Sequence, residues 1–286
     1  MLGRRKVRSY TRSVRNSKRG AAESARVVDP ARSVELLWGR RSGNRPGPKP
    51  KLTVSQIAQA AIELADADGL AALSMPQLAK RLGVGTMSLY RYVTDKSELV
   101  DLVIDAAIGP PPRFRADGWR PRLESWAVSI LAIFDRHPWI LEVLVARRAM
   151  GPNEMAWFEA ALEAVADTGL GAQEMADVVL LVNRYVLGQA YASVAAGAAQ
   201  RTGVCGDEWA DAYVRALADV IDERRYPHVS ELLATSVFVA QPERQFEFGL
   251  ARVLDSIGSF IDQRTSVSGG RRPAAGRGRD SDPAPR

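Results

Sequence analysis

A short helix, a glycine and a second short helix are written into residues 74–93, and few folds admit those signals so close together. Ser74 followed by Gln77 fits a capping box, in which side-chain oxygens take the orphan amides at a helix start. The helix it opens turns Leu78, Ala79 and Leu82 to one side. Gly83 supplies the left-handed residue that ends it. A second helix is predicted to start near Thr86, whose hydroxyl can cap it, with Leu89 and Val93 on its inner side. Gly85, Thr86, Met87, Ser88, Tyr90, Arg91 and Tyr92 spread over the rest of that turn and helix. Hydroxyls, aromatics and a guanidinium there suit base edges and phosphates in a DNA major groove. Asp95 with Glu98 opens a third helix, predicted over 96–108, and Lys96 in its first turn is placed to meet a phosphate.

Upstream, Thr53 with Gln56 caps a helix whose Ile57, Ala61, Leu64 and Ala65 recur at helical spacing before Asp68-Gly69 ends it. Residues 51–108 thus read as a three-helix head and a longer connecting helix. The run from Leu52 to Leu102 resembles the tetracycline repressor family of bacterial regulators. The resemblance lies in Ala60-Ala61-Ile62-Glu63-Leu64-Ala65, Gly69-Leu70, Leu78-Ala79, Leu82-Gly83-Val84 and Leu89-Tyr90-Arg91-Tyr92-Val93. It implies a helix-turn-helix that reads double-stranded operator DNA.

Charge is divided unevenly. Residues 1–50 hold 14 Lys and Arg against Glu23, Asp29 and Glu35, a net +11, whereas the remaining 236 residues hold 25 basic and 30 acidic side chains, a net −5. A segment rich in Arg, Ser and Gly buries too little surface to fold alone and suits phosphate neutralisation, so 1–50 reads as a basic, largely disordered arm. Arg45, Lys49 and Lys51 stand directly before the first capped helix, in reach of a minor groove or backbone. Within the arm, Val34-Glu35-Leu36-Leu37-Trp38 is an apolar patch available to dock on the folded domain.

After Pro110-Pro111-Pro112 helical patterns continue to about 264. They are predicted over Trp119–Arg136, Trp139–Met150, Glu154–Asp167, Gln173–Ala199 and Asp207–Arg225, with a shorter irregular piece to Ala240 and a last apolar stripe from Phe246 to Ile261. The nearly uncharged helix 173–199 is expected to be buried on several faces. No alternating strand pattern occurs, so the class is all-α: a helix-turn-helix head, a larger helical domain over 113–264, and a Gly, Pro and Arg-rich disordered tail over 265–286. His137-Pro138-Trp139, Gly151-Pro152-Asn153, Tyr185-Val186-Leu187-Gly188 and Phe246-Glu247-Phe248-Gly249-Leu250 resemble the effector domain of the tetracycline-repressor branch. That resemblance implies a homodimer joined through two late helices of each subunit. Gly188 and Ala192 would allow close approach, and Phe246, Leu250, Val253, Leu254, Ile257, Phe260 and Ile261 would supply area. An ordinary monomer core is the alternative for the same stripe.

A small-molecule effector is expected between these helices, and its identity is open. Phe134, His137, Trp139, Trp157, Phe158, Tyr185 and Tyr191 can line an aromatic cavity, with Asn153, Arg184 and Gln189 as polar contacts. Arg184 and Asn183 stand out, because a charge and an amide in so apolar a helix need partners. The family's drug-binding member uses a histidine to hold magnesium. The nearest positions here are Ala146, Arg147 and Arg148, so neither that metal nor tetracycline carries over.

One cysteine, Cys205, and two histidines, His137 and His228, provide no disulfide and no zinc-type cluster, and no cofactor is expected. A glycine-rich phosphate loop and a serine elbow are missing, so an enzyme is not expected. No apolar run reaches the roughly 18 to 20 residues of a membrane span, which predicts a cytoplasmic protein. The expected function is a transcriptional regulator, a repressor that binds a near-palindromic operator as a dimer and is released by a small molecule. A DNA-binding regulator controlled by a protein partner, or acting without a ligand, is the alternative.

Overall fold

A computed structural model describes residues 30–40, 52–144, 148–201, 206–235 and 242–269, and these contain eleven α-helices and no strand. The first is α1 (Pro30–Leu37). The head follows as α2 (Val54–Asp68), α3 (Met75–Leu82) and α4 (Thr86–Leu89), with α5 (Lys96–Ile108) leading out of it. The larger part comprises α6 (Trp119–Arg136), α7 (Pro152–Val165), α8 (Ala172–Arg201), α9 (Gly206–Val220), α10 (Pro227–Ala234) and α11 (Pro242–Gly269).

Local caps define the head. Thr53 and Gln56 exchange hydrogen bonds of 2.9 and 3.1 Å at the start of α2. Ser74 accepts from the Gln77 amide at 3.4 Å, and Gly83, at φ +67°, ends α3. Ile57, Ala61, Leu78, Leu89, Val93 and Leu99 close a common core with the inner face of α5. Beyond α5, α6 packs on α7 and α8, and α11 packs on α8 and α6.

Several expectations are corrected. The helix after the turn begins at Thr86 with Gly85 as its cap residue, so Thr86 does not cap it, and it lasts one turn before residues 90–92 form a turn whose Tyr92 and Val93 amides bond back to the Leu89 carbonyl. The helix expected over Trp139–Met150 is a 3₁₀ segment, Pro138–Glu142, in a proline-led stretch that His137 separates from α6. The basic arm contains α1, a helix formed by the apolar patch expected to dock. The tail begins later than expected, because α11 continues through Thr265, whose hydroxyl donates to the Ile261 carbonyl at 2.7 Å, to Gly269. Among the residues of long α8 whose burial is described, Val178, Val179, Val182, Val186 and Ala190 are buried, and Leu181, Arg184, Gly188, Tyr191 and Ala192 are exposed.

Candidate DNA-reading face and effector pocket

The head offers one exposed, chemically mixed ridge. Met87 is 78% exposed and Tyr90, Arg91, Lys96 and Gly85 are exposed beside it, while Thr86 and Ser88 are half-buried. Leu89 and Val93 anchor the ridge from beneath, both fully buried. Tyr92 is half-buried, like Thr86 and Ser88, and part of its surface packs against the core. Lys96 is the first residue of α5, where Asp95 accepts the Glu98 amide at 3.0 Å and Glu98 in turn accepts the Thr94 amide at 2.8 Å. Arg45, Lys49 and Lys51 lie outside the described residues.

A second feature is a cavity of about 740 Å³ between α5, α6, α7 and α8. Trp126, Phe134, Trp157 and Phe158 give it aromatic walls, Ile108, Ile130, Val179 and Leu187 aliphatic ones, and Arg148, Glu154 and Asn183 its polar atoms. Trp126 and Trp157 meet edge to face at 6.5 Å between centroids, and the Trp126 indole N–H donates to the Trp157 carbonyl at 2.8 Å. Arg148 donates two hydrogen bonds to the Glu154 carboxylate, one of 2.7 Å, and both side chains are nearly buried.

Of the residues expected at an effector site, Phe134, Trp157 and Phe158 line this cavity and the others serve elsewhere. His137 and Trp139 both bond Asp66 Oδ1 at 2.7 Å, tying the 3₁₀ segment of the larger part to α2 of the head. Asn153 donates to the main-chain and side-chain oxygens of Asp105, at 2.9 and 3.2 Å. Tyr185 stacks on Phe246 and donates to its carbonyl at 2.9 Å, and Gln189 donates to the Tyr185 hydroxyl at 2.9 Å; these two residues join α8 to α11. Tyr191 donates to the Leu141 carbonyl at 2.7 Å, and Arg184 is exposed. Asn183, its neighbour, is the polar residue of that helix which reaches the cavity. Arg148 and Glu154 were not expected there, since a surface pattern of charges gives no sign of a buried bidentate pair.

The stripe assigned to dimerisation is divided in the same way. Phe246, Leu250, Leu254, Ile257 and Ile261 are 1–8% exposed because they pack within the protomer. Gly188, Ala192 and Phe260 are exposed and Val253 is half-buried.

The cavity and the connecting helix share a joint. Asp105, near the end of α5, accepts the amides of Asn153 at 3.0 Å and Glu154 at 3.1 Å, so its carboxylate caps α7 from another helix. Gly151, at the cap position of α7, leaves room for it: a Cβ there would stand 2.2 Å from the carboxylate carbon. Trp157 donates its indole N–H to the Gly109 carbonyl, just past the end of α5, at 2.9 Å. Burial raises the Asp105 carboxyl above the ordinary aspartate range, and the amides it accepts oppose that rise.

The sequence and the fold have counterparts. The tetR-family model of bacterial regulatory proteins matches residues 57–103, and the tetracyclin repressor-like C-terminal domain matches 111–260. The HTH-type transcriptional repressor DrrR1 of Streptomyces coeruleorubidus is 39% identical over 255 residues, covering 87% of this chain and 93% of its own. The class A tetracycline repressor from transposon 1721 in Escherichia coli is 25% identical over 218 residues, 72% and 91% of the two chains. Among solved structures, ActR from Streptomyces coelicolor without ligand superposes with a TM-score of 0.64 at 25% identity, covering 76% of this chain and 99% of ActR. ActR in complex with actinorhodin gives 0.63 at 26% identity, covering 72% and 95%. The chain therefore belongs to the tetracycline repressor family of bacterial helix-turn-helix transcriptional repressors. Its relatives are regulators and not enzymes, and none of the described helices is long and apolar enough to cross a membrane.

Proposed function

We propose that this repressor binds a near-palindromic operator as a homodimer and is released by a flat, largely aromatic small molecule. The observation that carries the reading is the shared joint: Trp157 and Glu154 face the cavity and are also bonded, through side chain and amide, to the end of α5. A ligand that moves either one acts on the helix that leads into the head. The head is 51–108 and the effector and dimerisation domain 113–264 in this reading. Thr86, Met87, Tyr90 and Arg91 read bases, while Lys96, Arg45, Lys49 and Lys51 hold phosphates.

Aromatic walls and three polar groups suit a planar ligand with a few hydrogen-bonding substituents, and actinorhodin in the related ActR supports that class. The exposed side of α8 and α11, with Leu181, Gly188, Ala192, Phe248 and Phe260, supplies the dimer face. Two heads must then lie about 34 to 36 Å apart to enter successive major grooves. Screening planar aromatic compounds for loss of operator binding, with operator taken from DNA selected by the purified protein, tests the reading. Compounds that bind the cavity and release operator support it; operator affinity that no cavity ligand changes, with a partner protein required instead, refutes it.

A further inference from the structure

We infer that α1, which neither family domain contains, is a working part of the effector site: together with α5 it holds the pocket rim at residues 148–151. This rests on the cavity being the effector site. α1 carries its own stop signal, since the Arg40 amide donates to the Glu35 carbonyl at 2.8 Å and the Gly39 amide to Leu36 at 3.2 Å, the paired bonds of a Schellman end. Its inner side lies along α5, with Ser33 and Leu36 buried. Just past that helix, Trp38 is 45% exposed, yet its indole N–H reaches the Met150 carbonyl at 3.3 Å, 112 residues away in the chain. From the α5 side, buried Asp101 lies near Ser33 of α1 and Ala149 of the rim.

The rim is therefore held from α1 at the Met150 carbonyl, and Asp105 of α5 grips the amides of Asn153 and Glu154 that follow. The rim carries two cavity residues, Arg148 and Met150. Loosening α1 frees the Met150 carbonyl and with it the placement of the guanidinium that faces the ligand. α1 also lies within the basic leader, whose net charge is +11 over residues 1–50. DNA held by that leader fixes α1, and α1 fixes the rim, giving a route between operator and pocket that does not pass through the joint at Asp105.

Trp38→Phe keeps the apolar ring and removes only the N–H. In the free full-length protein, amide hydrogen exchange of the rim is expected to quicken about two- to tenfold, the effect of one modest hydrogen bond, with exchange in α2 and α6 and the thermal midpoint unchanged. Affinity for the cavity dye 1-anilinonaphthalene-8-sulfonate is expected to fall by a similar factor. Leu36→Ala, which loosens α1 itself, is expected to reproduce both effects. Random-sequence duplex DNA at low salt is expected to slow rim exchange in the wild type and not in Trp38→Phe. Wild-type rim rates in both variants, or a rise spread evenly over the chain, overturn the grip of α1; an identical response of wild type and Trp38→Phe to DNA overturns the route. The underlying reading fails separately, if the wild-type cavity takes up no dye.

Discussion

Replacing Gly151 with alanine tests the joint between α5 and α7 with one carbon atom. The added Cβ would sit 2.2 Å from both Cγ and Oδ1 of Asp105 and 2.7 Å from its Cβ, well inside van der Waals contact. Gly151 has φ −88°, a conformation alanine adopts freely, so backbone strain contributes nothing and the clash decides the outcome. The carboxylate must move, and it then releases the Asn153 and Glu154 amides it accepts at 3.0 and 3.1 Å. Loss of a helix cap costs about 1 kcal/mol. A buried carboxylate left without its donors adds about 1 to 3 kcal/mol, so the expected loss is about 2 to 4 kcal/mol. Urea unfolding followed by circular dichroism measures it. In an Asp105→Ala background the same change is expected to cost less, because two of the three clashing atoms are gone, with a coupling of at least about 0.5 kcal/mol. A Gly151→Ala protein as stable as the wild type, or strict additivity with Asp105→Ala, would refute the cap.

Other consequences follow from the remaining contacts. Arg91→Ala is expected to weaken operator binding by about 1 to 3 kcal/mol and to flatten discrimination among operator variants, as read by fluorescence anisotropy; uniform binding of all sites at wild-type strength would show that another residue reads the groove. Asp66→Ala removes the acceptor shared by His137 and Trp139, and is expected to raise hydrogen exchange in the 3₁₀ segment and in the C-terminal turn of α2 together. A response in only one of the two would disprove the tie between head and effector domain. Burial raises the Asp101 carboxyl above its ordinary value, so its charged form burdens the folded state. That burden is absent below the ordinary aspartate pKa and complete above the raised one. Asp101→Asn is therefore expected to gain stability relative to the wild type as pH rises through that window in thermal melts, and a constant difference would refute the assignment.

Signals of short range were legible in the chain. Thr53, Ser74 and Asp95 cap the helices their spacing predicts, and Gly83 stops α3, because each depends on atoms within four residues. Phe134, Trp157 and Phe158, candidate cavity aromatics in the sequence, line the cavity, although helical spacing alone fits plain core equally well. His137 and Trp139 do not, because their common partner, Asp66, lies more than 70 residues away and no local pattern announces it. The stripe from Phe246 to Ile261 shows a different limit: an apolar face has the same periodicity whether it closes a protomer core or a dimer. Asn153 was a polar contact in sequence terms, and the fold turned it to Asp105 instead of to a ligand.

Linkage between the two sites is the central claim, and ligand affinity measured with and without saturating operator tests it most directly. With a planar aromatic ligand found by operator release, titration calorimetry on the free protein and on its operator complex gives both constants. Binding about 100-fold weaker in the complex, roughly 2.7 kcal/mol of coupling, is the predicted result, with the same factor lost from operator affinity when ligand saturates the protein. Equal ligand affinity in the two states would contradict the account, since a ligand indifferent to DNA cannot release it.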